Sequence, residues 1–229
     1  MLSVRDLHVG YDGAMVLHNI NINVNRGEMV FVVGRNGAGK TTLLKTIAGL
    51  IRPRAGMIIF EGEEIQGKRP EILAKKGIRY VAQDKRVFSD LSVRSNIELA
   101  AYGAGIPTKE AIEKALSVYP KLERFLDHRA GNLSGGQREI LLIARALCSS
   151  PKMVLIDEPT EGLAAGVIND VYEVLNRMKA NLTSIIVEQN LPLVSRLADR
   201  VILIKEGKVE REFDVRAQGC NISELEAYL

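Results

Sequence analysis

A lysine and a threonine close the segment Gly34-Arg35-Asn36-Gly37-Ala38-Gly39-Lys40-Thr41, which has the spacing GxxxxGK[ST] and is followed by a second threonine, Thr42. Glycines at these positions let the main chain wrap an anion with its N–H groups pointing inward, and the positive end of a following helix adds to the attraction. In loops of this pattern the lysine, here Lys40, reaches the β- and γ-phosphates of a nucleotide, and the hydroxyl, here that of Thr41, ligates magnesium. Alone, such a loop leaves kinases, GTPases and many ATPases open.

Two further groups narrow the chemistry. Met153-Val154-Leu155-Ile156 is an apolar run that ends in Asp157-Glu158. There Asp157 can hold the hydration shell of magnesium and Glu158 can polarise an attacking water, the division of labour that hydrolysis needs. The plainer reading is a solvated acidic pair at a strand end. Leu133-Ser134-Gly135-Gly136-Gln137 precedes a helical pattern with Ile140, Ala144 and Leu147 on one side. Ser134 and Gln137 form a capping box, so this is either a second helix N-terminus suited to an anion or a capped turn.

These groups need particular elements to position them. Met29 to Val33 reads as a buried parallel strand leading into the glycine loop, and Thr42 to Ala48 as a helix closed by Gly49. Met1 to Val9 and Val16 to Val24 alternate apolar and polar residues around the turn Tyr11-Asp12-Gly13, the period of half-exposed antiparallel strands. Gly56 to Phe60 and Gly77 to Val81 are further strands, separated by charged, glycine-bearing sequence. From about 84 to 150 the pattern turns helical, with Ser92 capping Val93 to Ala101 and Ala111, Ile112, Ala115 and Leu116 on one face. This block predicts a helical subdomain inserted between sheet strands. Strand and helix then alternate again: Lys152 to Ile156, a helix from Val167 to Ala180, Ser184 to Val187, and a helix from Pro192. A hairpin over Val201 to Phe213 follows, and Ser223 to Glu226 is a capping box for a last helix ending at Leu229.

The chain has 229 residues, 46% of them hydrophobic, enough for one sizeable core. A net charge of +3, with acidic and basic residues interspersed, is too mild to imply nucleic acid. Cys148 and Cys220 lack metal-ligand spacing and read as reduced thiols, which suggests the cytosol. No apolar stretch approaches the roughly 20 residues that span a bilayer, so a membrane role would come through a partner.

GRNGAGKT at 34–41, LSGGQ at 133–137 and LIDEP at 155–159 occur together, and in this combination the chain resembles the ATP-binding cassette (ABC) proteins from end to end. The resemblance implies an α/β fold with a P-loop NTPase core and mixed sheet, an N-terminal antiparallel β-subdomain and the inserted helical subdomain. It also implies one nucleotide-binding domain over 1–229, taking ATP and Mg2+. Gly34 to Thr42 would surround the phosphates. Tyr11 matches the aromatic that stacks on adenine, although a turn tyrosine is the other reading. Gln83 matches the glutamine that touches magnesium and senses the membrane partner. In the family two cassettes pack head to tail, so Ser134 and Gly136 would act on nucleotide bound by the other one.

The sequence departs from the family pattern at two places. Ala164 replaces the usual aspartate after Gly-Leu, which puts a cross-dimer contact in doubt. Gln189 stands in the place of the switch histidine, so a γ-phosphate contact there would come from an amide; alternatively Gln189 caps the helix that follows. Arg129 to Ser134, Val187-Glu-Gln-Asn190 and the terminal Glu-Ala-Tyr-Leu resemble the ATPases of branched-chain amino-acid uptake. Urea and short-amide importers of the same branch fit as well, and soluble cassette ATPases are the alternative class. The implied partners are two multi-span membrane subunits, a sister or identical ATPase and, indirectly, a solute-binding protein, with no nucleic acid. The implied location is the cytoplasmic face of the cell membrane, as a peripheral subunit.

Overall fold

The computed structural model describes residues 1–84, 86–179 and 182–218, and Glu226. Cys220 and the helix expected after Ser223 lie outside the described residues. In chain order, β1 (Leu2–Tyr11) and β2 (Ala14–Val24) form a hairpin, and β3 (Met29–Val33) leads into α1 (Lys40–Ile47). Next come β4 (Ala55–Phe60), the two-residue β5 (Glu63–Glu64), α2 (Pro70–Lys76) and β6 (Ile78–Val81). Three helices, α3 (Val93–Ala104), α4 (Thr108–Val118) and α5 (Gly135–Leu147), precede β7 (Met153–Asp157). The remainder runs α6 (Ala165–Lys179), β8 (Thr183–Val187), α7 (Leu191–Leu197), β9 (Arg200–Lys205), β10 (Lys208–Asp214) and α8 (Val215–Gln218).

The strands make two sheets. One is antiparallel with order β2-β1-β4-β5; its first hairpin turns at Asp12 and Gly13, both at positive φ (41° and 95°), as a two-residue turn between twisted strands requires. The other has order β10-β9-β3-β8-β7-β6 and is parallel except for the edge strand β10. Every residue of β3, β7 and β8 is buried, which is why each reads as an unbroken apolar run. Alternate side chains serve two cores. Met29, Phe31 and Val33 of β3 pack with α3 to α7, whereas Val30 and Val32 pack with Leu43, Leu44 and Ile47 of α1 and with the antiparallel sheet. Helix α1 is therefore clamped between the two sheets, and the loop before it is held from both sides.

The mixed α/β architecture expected from the sequence is present, with α3 to α5 inserted between β6 and β7. Three elements escaped the sequence reading, among them α8, whose four residues make little more than one turn. Helix α2 is seven residues long and buries only Leu73, so it carries no apolar stripe, and β5 is too short to show alternation.

Candidate functional site

The glycine loop, Asp157-Glu158 and Glu188-Gln189 all emerge at the carboxyl ends of neighbouring parallel strands, β3, β7 and β8, where open α/β sheets bind ligands. Gly34 is obligatory by packing, because a Cβ there would overlap the carbonyl oxygen of Ile204. Gly39 caps α1 at φ 104°, a left-handed conformation that a side chain would resist. Lys40, 4% exposed, donates from Nζ to the carbonyls of Gly34 (2.8 Å) and Arg35 (3.1 Å) and lies 3.7 Å from Glu158 Oε1. Its ammonium is thus already held over the mouth of the loop.

Asp157 is 1% exposed and accepts hydrogen bonds from Thr41 Oγ1 and Tyr80 OH, each at 3.0 Å. Burial pushes its carboxyl above the ordinary range, against these two bonds, which hold it down. Burial and then the Asp157 charge push the Tyr80 phenol far up. Glu158 adopts φ 50°, a left-handed conformation that costs a non-glycine residue about 1 kcal/mol and persists only where the surroundings enforce it. Its N–H donates to the carbonyl of Val187 (2.9 Å), fixing the turn to β8.

The Glu158 carboxylate lies between two glutamines. Gln189 Nε2 donates to Oε1 (2.7 Å) and to Asn36 Oδ1 of the glycine loop (2.9 Å). Gln83 Nε2 donates to Oε2 (3.3 Å) and to Glu161 Oε2 (2.6 Å). Helix α7 is capped by Asn190, whose Oδ1 accepts from the Leu193 N–H (3.1 Å), which leaves the Gln189 side chain to Asn36 and Glu158, two residues that line a cleft. That cleft measures about 420 Å³ and is lined by Tyr11, Asn36, Lys40, Thr41, Gln83 and Glu158, among others. Tyr11 stands at its rim, 45% exposed, with its hydroxyl 3.4 Å from Thr42 Oγ1.

Ser134 and Gly136 lie elsewhere. Ser134 Oγ accepts from the Gln137 N–H (3.3 Å) and Gln137 Oε1 from the Ser134 N–H (2.9 Å), completing the capping box of α5. Gly136 packs so closely on Val167 that a Cβ would overlap it. Neither residue lines the cleft. Three residues of the site were not singled out from the sequence: Tyr80, Glu161 and Glu188. Tyr80 sits within a strand and Glu188 beside a polar turn, and nothing local marks the partner that each meets in space.

The family model for ABC transporters matches residues 17–161, more than half of the chain. The high-affinity branched-chain amino acid transport ATP-binding protein BraG of Pseudomonas aeruginosa is 35% identical over 231 residues, covering 100% of this chain and 99% of its own. The probable branched-chain amino acid transport ATP-binding protein LivF of Archaeoglobus fulgidus is 34% identical over 212 residues, 91% of this chain and 90% of its own. Among solved structures, a dimeric post-hydrolysis ATP-binding cassette bound to ADP and phosphate superposes with a TM-score of 0.83 at 26% identity, over 94% of this chain and 99% of that one. The chain belongs to the ABC transporter family and is one of its ATP-binding, ATP-hydrolysing cassettes.

Proposed function

We propose that this cassette energises the uptake of branched-chain amino acids through separate membrane subunits, with hydrolysis centred on Glu158. The observation that carries the catalytic part is the grip of Gln83 and Gln189 on the Glu158 carboxylate, beside Lys40 and the Asp157–Thr41 pair. The names of BraG and LivF support the solute class.

When ATP enters, its phosphates offer Lys40 better acceptors than the carbonyls of Gly34 and Arg35, and the loop from Gly34 to Thr42 wraps them. Tyr11 covers the adenine from the rim. Glu158 accepts the proton of the attacking water, and the Gln189 amide, already 2.7 Å from Glu158, keeps water and γ-phosphate in line. Among the described residues no group of three or more His, Cys, Asp or Glu could hold a metal by itself. Thr41, Asp157 and Gln83 supply the few hard oxygen donors that suit magnesium arriving with phosphates, where it would neutralise their charge.

Ser134 and Gly136 complete the site of a second cassette, a sister chain or a second copy; the dimeric solved relative supports this arrangement. The whole of 1–229 acts as one nucleotide-binding domain, with 84–150 as its helical subdomain. The membrane subunits dock beside that subdomain, at a cleft of about 410 Å³ lined by Arg79, Arg86 and Arg145, near the exposed Phe88 and Leu91. No described helix is long and apolar enough to cross a membrane; the chain sits on the cytoplasmic face through those partners, a reading that the transport ATP-binding relatives support. Calorimetry of Lys40→Ala tests the foundation: ATP binding is expected to vanish, and unchanged affinity would overturn the phosphate assignment.

A further inference from the structure

We propose that Glu188 is a positioning residue for hydrolysis: its buried carboxylate staples the backbone after β8 to the backbone after Glu158, and so sets the approach of Gln189 to Glu158. The inference rests on the roles given above to Glu158 and Gln189.

Glu188 is 2% exposed, and among the described residues no basic side chain pairs with it. Its donors are main-chain amides. Oε1 accepts from the N–H groups of Gln189 (2.8 Å) and Asn190 (3.0 Å), and Oε2 accepts from that of Thr160 (3.3 Å). A carboxylate withdrawn from water is costly unless charge-assisted bonds replace its hydration, and here those bonds join two segments that each carry site residues. On one side they hold Asn190 at φ −76°, ψ 88°, outside helical geometry, where its side chain caps α7 while the Gln189 side chain reaches Asn36 of the glycine loop. On the other, Thr160 lies two residues beyond Glu158, whose left-handed backbone needs outside support. The Glu188 N–H also donates to the carbonyl of Val32 (3.2 Å) on the strand that feeds the glycine loop, so the staple is referenced to the phosphate site itself.

Among the described residues Glu188 bonds to main-chain N–H groups rather than to the side chains assigned to nucleotide, so its loss acts on turnover rather than on ATP affinity. Glu188→Gln keeps the shape but exchanges one acceptor oxygen for a donor, breaking part of the staple. Steady-state hydrolysis and ATP affinity are measured on the full chain carrying Glu188→Gln, Gln189→Ala, or both. The expected result is a kcat about tenfold lower in Glu188→Gln, ATP affinity within about twofold of the parent, and a double variant no slower than Gln189→Ala alone, since residues acting through one group are not additive. A parental kcat in Glu188→Gln, or a full further loss on top of Gln189→Ala, would overturn the inference while leaving the functional reading intact. A parental kcat in Gln189→Ala would instead overturn the role assigned to Gln189, and this inference with it. If Glu188→Gln does not accumulate as folded protein, Glu188→Asp, which keeps the charge and shortens its reach, runs the same cycle with the same two outcomes.

Discussion

Glu28 and Asp199, at the amino ends of β3 and β9, are buried carboxylates met by cations, whereas Asp157, Glu158 and Glu188, at the carboxyl ends of β7 and β8, are met mainly by hydroxyls, amides and main-chain N–H groups. Arg200 Nε lies 2.7 Å from Glu28, and Lys179 and Arg216 lie 2.9 and 2.7 Å from Asp199, which also accepts from the Met29 N–H at 2.8 Å. At the other end, among the described residues, Lys40 is the cation within ion-pair range, 3.7 Å from Glu158. The carboxyls respond in opposite directions. Burial pushes Asp199 up, but hydrogen bonds from Arg216, Met29 and Lys179 outweigh it and leave the group below its ordinary range; at Asp157 burial prevails. One end of the sheet is electrostatically closed and serves the fold. The other gathers carboxyls that meet fewer cations among the described residues, a place that magnesium and a phosphate-bound lysine would fit.

Substitutions at the two ends are therefore expected to separate stability from turnover. The largest effect is on folding: Asp199→Ala removes the common partner of Lys179, Arg216 and Met29 and is expected to destabilise the chain by about 3 kcal/mol in denaturant melts, with hydrolysis per folded molecule retained. Because the folded pKa of Asp199 is lowered, its contribution is present above the unfolded carboxyl's pKa and lost as pH falls through the folded value. The parent's excess stability over Asp199→Ala should shrink on acidification; a pH-independent difference would contradict the ion pairing.

Next is Glu158→Gln at the opposite end, expected to slow hydrolysis at least a hundredfold, roughly 2.7 kcal/mol of barrier, and to trap a closed pair of cassettes in ATP. Hydrolysis at the parental rate would count against Glu158 as the base. Gln189→Ala is expected to lower kcat by about ten- to a hundredfold, or 1.4 to 2.7 kcal/mol, with ATP affinity little changed. Gln189→His is expected to keep much of the activity and to add a pH dependence between about 5.5 and 7.5, since imidazole titrates there and an amide does not.

The closed end was hardly legible in the sequence, and the open end was legible only in part. Lys40, Thr41, Asp157 and Glu158 lie in short motifs whose spacing states their geometry, and the capping box at Ser134 needs only residues three apart. Tyr80 meets Asp157 across 77 positions, and Arg200 meets Glu28 across 172, so no local pattern announces either contact. Glu188 reads as a polar residue at a strand end, and only the packing of β8 between β3 and β7 buries it. The strand order was equally hidden. Nothing in Ala55 to Phe60 says that it joins the antiparallel sheet rather than the central one.

The contrast between the two ends is tested most directly by Asp157→Asn, measured for thermal stability without nucleotide and for ATP hydrolysis. Asp157's folded pKa is raised, so the folded state favours the protonated form, and its stability falls as pH rises through that value; charging this buried carboxyl costs stability, a cost that Asn removes. The predicted result is a higher melting temperature than the parent at neutral pH together with loss of hydrolysis, as for a charge kept for function at the expense of stability. A lower melting temperature with parental hydrolysis would place Asp157 with Asp199 among the structural carboxylates and contradict the account.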